Sequence, residues 1–392
     1  MFSPAVETLF RAVSLLCCGA SLFGALYAVA AAVCVRRFAA RAPSATAPTM
    51  PGVSLLKPLC GAETGLAAAL ESFCTQDYAG ELQVIFGVQS ASDPAIAIVE
   101  ALRARHPDLD MTLVVDAMTH GANRKIANLI NMASKIRHAI VVLADSDIVA
   151  PRDHLAQCVA ALGADGVGLV TCLYRGEPQT NFWSRLAAGA IDWHFTPSVL
   201  VGLATGLAHP CFGSTIALRR ETLEAIGGFT AFADQLADDY AVGAAVRGLG
   251  LTIALPPLVV GHLCQETSFD ELWRHELRWA RTIRLVDPVG FFGSGVTHAV
   301  PLALLGAAFS GFDAVTLAVL ALALAARVWL QRNMMHYLHA GSRDLALLVV
   351  RDLLSFVLFL ASFFALRVKW RSFDYTVAPG GTLVPVKKDL EP

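Results

Sequence analysis

Charged side chains are scarce: Asp, Glu, Lys and Arg supply only 16% of the 392 residues, against about 25% in soluble proteins. A mean hydropathy of +0.56 goes with that shortage, and the surplus apolar residues must face lipid. Neither sign of charge dominates, since the net charge is −2. Without a basic field, and without a stacking platform of basic and aromatic residues, nucleic acid is not an expected partner. Paired cysteines are missing as well. The nine cysteines (Cys17, Cys18, Cys34, Cys60, Cys74, Cys158, Cys172, Cys211 and Cys264) contain no C-x-x-C. Neither a zinc site nor a disulfide framework is therefore expected, and most should be small core or membrane residues.

Long apolar runs are what the chain has instead. Residues 9 to 35 are almost uninterrupted in apolar character from Ala12 onward, long enough to cross a bilayer. Arg36, Arg37 and Arg41 follow this run rather than precede it. That fits a signal anchor better than a cleaved signal peptide and puts the residues beyond 36 in the cytoplasm. Hydrophobicity returns at residue 292. Residues 314 to 330, with Arg327 near enough to one end to snorkel, and 345 to 366 are the expected spans. Residues 292 to 309, interrupted by Pro301, read as a span or a re-entrant piece. A basic tail at Arg367, Lys369 and Arg371 prefers the cytoplasm, which favours two full spans after the central domain over three. Charge pairs that would mark a transport path are missing, apart from Arg351–Asp352 near a span end.

Between these regions strands alternate with helical patterns, the mark of a mainly parallel sheet flanked by helices. The expected organisation is an anchor at 1–40, a cytoplasmic α/β domain at 41–285, a membrane region at 286–370 and a tail at 371–392. A Pro/Ala/Thr linker at 41–51 leads into the first strand, 53–59. Further strands are expected at 83–89, 111–115, 140–149, 168–172, 215–218 and 251–260, and one helix over 182–201. Glu271 to Leu285 alternates Leu272, Trp273, Leu277, Trp279 and Ile283 with Arg274, Arg278, Arg281 and Arg284. That pattern suits a helix lying at the headgroup level, with a surface helix of the domain as the alternative.

The chain is organised around I-V-V-L-A-D-S-D-I-V at 140–149. A buried strand there delivers Asp145 and Asp147 at its C-terminal end, where open α/β sheets place ligands. Carboxylates at i and i+2 can share Mg²⁺ or Mn²⁺, which take oxygen ligands and are often completed by substrate phosphates. From the tripeptide alone an ordinary acidic turn is the readier reading. The same holds for the other marked residues: Asp93 could be only an N-cap, Lys125 a solvated helix residue, and Asp238 and Asp239 complements to a helix N-terminus.

Their order and spacing go further. VSLLKPLCG, QSASDPAI, NRKIANL, DSD, GGF followed by an acidic-Asp-Tyr, the late Arg-Trp helix and the terminal GGTLVPV together resemble the inverting family 2/21-type glycosyltransferases, closest to the ceramide glucosyltransferase group. Within it they look most like the bacterial hopanoid-biosynthesis-associated glycosyltransferases. The resemblance implies a GT-A-type fold, a UDP-sugar donor, a lipid hydroxyl as acceptor, and a multi-pass place in a bacterial inner membrane with the catalytic domain in the cytoplasm. It implies UDP-N-acetylglucosamine and bacteriohopanetetrol as donor and acceptor, with UDP-glucose and ceramide or diacylglycerol as the alternative.

Position by position, the resemblance makes Asp239 the catalytic base. It puts Lys57, Asp93, Lys125, Asp145, Arg278 and Trp279 at the donor, Asp93 on the uracil ring, and Asp145 and Asp147 on the metal. His194, Asp238 and His275 fall on the acceptor side. His194 could equally be a helix histidine packed between Trp193 and Phe195. Two positions depart from the family: Asp238 replaces a glutamate, and His275 stands where Gln or Arg begins the (Gln/Arg)-x-x-Arg-Trp motif. A polysaccharide synthase needs more spans and that glutamine. An inactive membrane adaptor has no reason to keep Asp93, Asp145, Asp147 and Asp239.

Overall fold

The computed structural model describes residues 3–43, 50–340, 345–364, 367–370, 373–377 and 383–385. Most of the 41–51 linker and of the 371–392 tail, including Arg371, lies outside the described residues. Contacts divide the chain into two units. One joins residues 1–40, 180–207 and 266–366, and the other joins 41–179, 208–265 and 367–392. The stretch expected as one domain, 41–285, is shared between them.

The second unit is built on a seven-stranded sheet. Its strands are β1 (Val53–Pro58), β2 (Leu82–Val88), β3 (Asp110–Val115) and β4 (Ile140–Leu143), then β6 (Val167–Val170), β8 (Ile216–Arg219) and β9 (Thr252–Ala254). The order is β3-β2-β1-β4-β8-β6-β9, and β8 alone runs antiparallel to its neighbours. A smaller sheet orders β5 (Ile148–Val149), β10 (Val259–Cys264) and β7 (Leu173–Pro178) as β5-β10-β7. The mixed, mainly parallel sheet agrees with the sequence.

Side chains alternate across the large sheet, as period-2 strands buried on both faces require. Val53, Leu55, Val84, Phe86 and Val142 pack beneath helices Leu66–Cys74, Ala95–Arg105 and His154–Leu162. Leu56, Ile85, Val141 and Leu143 pack beneath Arg124–Ala133 and Asp238–Gly248. The parallel strands β1, β2 and β4 share one C-terminal edge, and β1 lies between β2 and β4. That reversal of strand order opens the crevice where such sheets bind ligands.

Three strand expectations change. The 140–149 run is two strands in two sheets, broken at Ala144–Asp147, so the carboxylates follow the C-terminal end of β4, as expected, but in a connection to a second strand. The 251–260 run is broken at Pro256-Pro257, which lack the N–H a ladder needs. Strand β7 has no counterpart in the sequence reading.

In the first unit, helices Pro4–Ala39 and Ala314–Leu338 are long and apolar enough to cross a membrane. Pro288–Thr297 and Ala299–Ser310 form a pair bent by 60°, a broken span or a re-entrant loop; the break falls at His298, and Pro301 sits in the first turn of the second helix, where its missing N–H is tolerated. Leu345–Ala361 accounts for 17 described residues of the expected 345–366 span, about 26 Å at 1.5 Å per residue. The first helix packs on 299–310 and 314–338 through small residues. Ser14 and Ser21 donate hydrogen bonds to the Gly306 and Ala299 carbonyls, both at 2.8 Å, the close approach that glue-like small residues permit between membrane helices.

Arg327 does not snorkel. It is 4% exposed and donates to both Asp352 carboxylate oxygens at 2.9 and 2.6 Å and to the Trp193 carbonyl at 2.9 Å. Arg351 does not pair with Asp352; it makes a bidentate bond to Glu276, both contacts at 2.7 Å. Buried ion pairs are thus present, but with partners other than the Arg351–Asp352 pair the sequence suggested. The expected helix 182–201 runs as Phe182–Ala190 and Thr196–Thr205 with a π-turn at Ile191–Phe195 between them. Such a turn inserts one residue and re-aims the side chains it carries, here Asp192, Trp193 and His194.

Candidate functional site

Five segments of the second unit meet at the C-terminal edge of β1 and β4. Lys57 leaves β1 fully buried and donates from Nζ to the Asp145 carbonyl at 2.6 Å. Burial pushes its pKa down to about 7, against Asp147 and Asp145, which push it up. Lys125 stands in the first turn of helix 124–133, whose N-cap Asn123 accepts from the Ile126 N–H at 3.1 Å. Its Nζ lies 2.7 Å from Asp145 Oδ1 and 3.1 Å from Asp238 Oδ2. Against burial, which lowers it, Asp145, Asp238 and Asp239 hold this lysine well above its ordinary value.

Asp238 and Asp239 open helix 238–248. Asp238 is buried and also accepts from Asn123 Nδ2 at 3.3 Å, so one asparagine caps one helix and grips the start of the other. Asp239 accepts from the Gly213 N–H at 3.1 Å and from its neighbour Tyr240 N–H at 2.8 Å. The Gly213 carbonyl in turn accepts from the Asp145 N–H at 3.0 Å. A Cβ at position 213 would lie 2.4 Å from Asp145 Oδ2 and 3.1 Å from Lys125 Nζ, so glycine lets this turn close on both charged groups without displacing them. Burial, and then the Asp238 charge, push the Asp239 pKa up to about 6, while Lys125 pulls it down.

Two lysines here face four carboxylates, Asp145, Asp147, Asp238 and Asp239, a surplus of two negative charges. Asp147 Oδ1 is buried and has no hydrogen-bond partner. The His262 Nδ1 is 3.7 Å from it, beyond hydrogen-bond reach. A buried, orphaned carboxylate oxygen in a field of excess negative charge fits a hard divalent ion such as Mg²⁺ or Mn²⁺. Asp145, engaged by Lys125, fits it less directly.

Asp93 lies after β2 on the same sheet edge, but its carboxylate already accepts from Gly61 N–H at 3.0 and 3.1 Å and from Ala95 N–H at 2.9 Å. It acts as the expected helix cap and also ties down the loop after β1. His194, His275, Arg278 and Trp279 belong to the other unit. His194 Nε2 lies 3.0 Å from Asp352 Oδ1 and 3.2 Å from Arg327. His275 Nδ1 is 2.6 Å from Glu266 Oε1, and its ring meets Trp279 edge-on at 4.5 Å. Arg278 and Trp279 lie half-buried on helix Phe269–Val286. Asn123 and His262 were missed by sequence reasoning. Asn123 was legible as an N-cap before R-K-I-A-N-L, whereas His262 reaches Asp147 only because β10 pairs with β5, His262 opposite Ile148.

The family model described as "Glycosyl transferase family 21" matches residues 16–383. The chain belongs to that family. Two Caenorhabditis elegans proteins are similar to this family 21 chain. Ceramide glucosyltransferase 1 is 26% identical over 53% of the chain and 44% of its own length. Ceramide glucosyltransferase 3 is 22% identical over 86% of the chain and 75% of its own length. The chain thus spans less than half the length of the first. Among solved structures, a Pyrobaculum calidifontis mannosyltransferase in complex with GDP-mannose and Mn²⁺ is 24% identical, with a TM-score of 0.52 over 90% of this chain and 96% of that one. Together with the sheet order, that likeness makes the fold a mixed α/β GT-A-type fold with apolar helices flanking it in sequence.

Proposed function

We propose that this family 21 chain moves a sugar from a UDP-sugar to the hydroxyl of a membrane lipid with inversion at C1. The observation that carries the reading is Asp239: a carboxylate held at a helix N-terminus with a pKa of about 6, beside a lysine-bridged pair of acids. A general base works best near the operating pH, and Asp239 is tuned there by burial and by Asp238. Asp238, clamped by Lys125 and Asn123, raises its neighbour's pKa; we assign it to that task and not to acceptor contact.

The acceptor hydroxyl gives its proton to Asp239 as its oxygen bonds C1 from the face opposite UDP. The C1–phosphate oxygen bond breaks, and UDP leaves with the electron pair. Asp147, with Asp145 behind it, would hold Mg²⁺ or Mn²⁺, which supplies charge neutralisation at the diphosphate. Lys57 and Lys125 keep the two acids oriented, and Lys125 offers positive charge toward phosphate. Asp93 keeps lone-pair capacity on Oδ2 for a ring N–H of uracil. Arg278 and Trp279 are assigned to diphosphate and sugar, and His275 and His194 to the acceptor side.

Relatives named ceramide glucosyltransferases favour UDP-glucose and a ceramide-like lipid over UDP-N-acetylglucosamine and bacteriohopanetetrol. The two apolar helices support a multi-pass membrane protein, and the arginines after residue 35 support a cytoplasmic catalytic side. The experiment is donor binding against transfer in Asp239→Asn and Asp147→Asn. The first should bind UDP-sugar normally and transfer about 10²–10⁴-fold more slowly; the second should lose metal-dependent binding. Equal loss of binding in both overturns the division of roles.

A further inference from the structure

Behind the turn that holds Asp239 and Asp145 lies a second cluster that the transfer reaction does not use. His154 opens helix 154–162, and Cys158 follows it by four residues on the same face. Cys172 comes from the connection between β6 and β7. All three are fully buried, and one ligand atom from each lies within 4.8 Å of the others.

The hydrogen bonds fix the tautomer of His154. Thr215 has one hydroxyl hydrogen and donates it to the Ser214 carbonyl at 2.7 Å. Its 2.9 Å bond with His154 Nε2 therefore has the imidazole N–H as donor. Nδ1 is then the bare lone pair, and it is buried with no hydrogen-bond partner. An imidazole with one nitrogen donating to a fixed oxygen and the other unprotonated is the form that metal-binding histidines take. The ring is held in place by the Phe73 edge at 5.5 Å.

The sulfur spacing agrees. Cys158 Sγ and Cys172 Sγ are 3.8 Å apart, which is about the separation that two 2.3 Å Zn–S bonds subtend at a tetrahedral angle. The nitrogen–sulfur spacing in such a site is about 3.6 Å, so the widest gap closes with about an ångström of side-chain movement.

We propose that His154, Cys158 and Cys172 form a buried site for a soft, thiolate-preferring divalent ion, zinc, that braces the active-site turn. The spacing, H-x3-C-x13-C, is not a zinc-finger pattern and gives no C-x-x-C to read, so the sequence pointed away from a zinc site. Binding replaces two thiol protons: Zn²⁺ joins two S–H groups and the neutral imidazole, two protons go to solvent, and the cluster is left uncharged in the core. Oxygen-preferring Mg²⁺ and Mn²⁺ are matched to Asp147 and not to this set. The brace reaches the catalytic groups through the backbone: Ser214 Oγ donates to the Cys172 carbonyl at 2.9 Å, and Gly213, one residue earlier, bonds Asp239 and Asp145.

The test loads full-length protein, purified in detergent with a non-thiol reductant, with Co²⁺ as a spectroscopic probe and Zn²⁺ as competitor. Only sulfur ligands give a thiolate-to-cobalt charge-transfer band, so metal at Asp147 does not interfere. The expected result is that band at about one cobalt per chain, its loss on adding Zn²⁺, its absence in Cys158→Ser/Cys172→Ser, and its retention in Cys264→Ser. Alkylation of the wild type read by mass spectrometry gives a check that needs no variant: Zn²⁺ should protect Cys158 and Cys172, and a chelator should release them. Absence of the band in reduced wild type, a band unchanged by the double substitution, or alkylation of Cys158 and Cys172 that Zn²⁺ and chelator leave unchanged, overturns the proposal.

Discussion

At the residue scale the account turns on Asp239 and its charged neighbours. A carboxylate accepts a proton only when ionised, so kcat/KM should fall as pH drops through about 6 and level off above it, read from an initial-rate profile at saturating metal. Stability has the opposite slope. The folded-state pKa of about 6 lies above the ordinary 3.8, so between those values the folded protein binds more protons, and stability declines as pH rises through that window. Asp239→Asn should therefore melt a few degrees higher than wild type near pH 7.5 and show little gain near pH 4. Gly213→Ala puts a methyl into Asp145 and should slow transfer at least tenfold, measured with donor at saturation, with Lys125 displaced from its carboxylates. Asp145, Asp147 and Asp239 were legible as acids in a recognisable order. Lys125's bridge between Asp145 and Asp238 was not, because it depends on two helix starts meeting in space. Asp93 shows the converse: its N-cap role was readable from Asp-Pro, yet the hold on Gly61 was not.

At the element scale, strands read best where they are buried on both faces, as β1 and β2 are, and worst where the chain leaves one sheet for another. The 140–149 run looks continuous because both of its halves are β-branched and apolar, and only the three-dimensional sheet order separates β4 from β5. The membrane helices carry a different lesson. An arginine in an apolar helix reads as a snorkelling residue from composition, but Arg327 instead meets Asp352 from helix 345–361. Both are nearly fully buried, so removing one partner leaves the other uncompensated. Asp352→Asn should lower stability by about 3–5 kcal/mol, seen as a large drop in melting temperature in detergent, and Arg327→Met/Asp352→Leu should recover most of it. If the double variant is as unstable as the single one, the pair is not acting as a matched unit.

At the scale of the whole molecule, the order of motifs along nearly the full chain made family and fold legible. Substrate identity was not, because no residue marks an acetamido pocket or a particular lipid. The expectation of a hopanoid acceptor therefore ranks behind the sphingolipid alternative that the named relatives favour. The most direct measurement is transfer by the purified full-length chain in lipid nanodiscs, with and without Mn²⁺, pairing labelled UDP-glucose or UDP-N-acetylglucosamine with ceramide or bacteriohopanetetrol, for wild type and Asp239→Asn side by side. The account predicts metal-dependent label in a lipid product, ceramide from UDP-glucose first among them, and almost none with Asp239→Asn although that variant still binds the donor. Wild-type protein that binds UDP-sugar but labels no lipid, or Asp239→Asn that transfers at the wild-type rate, would contradict it.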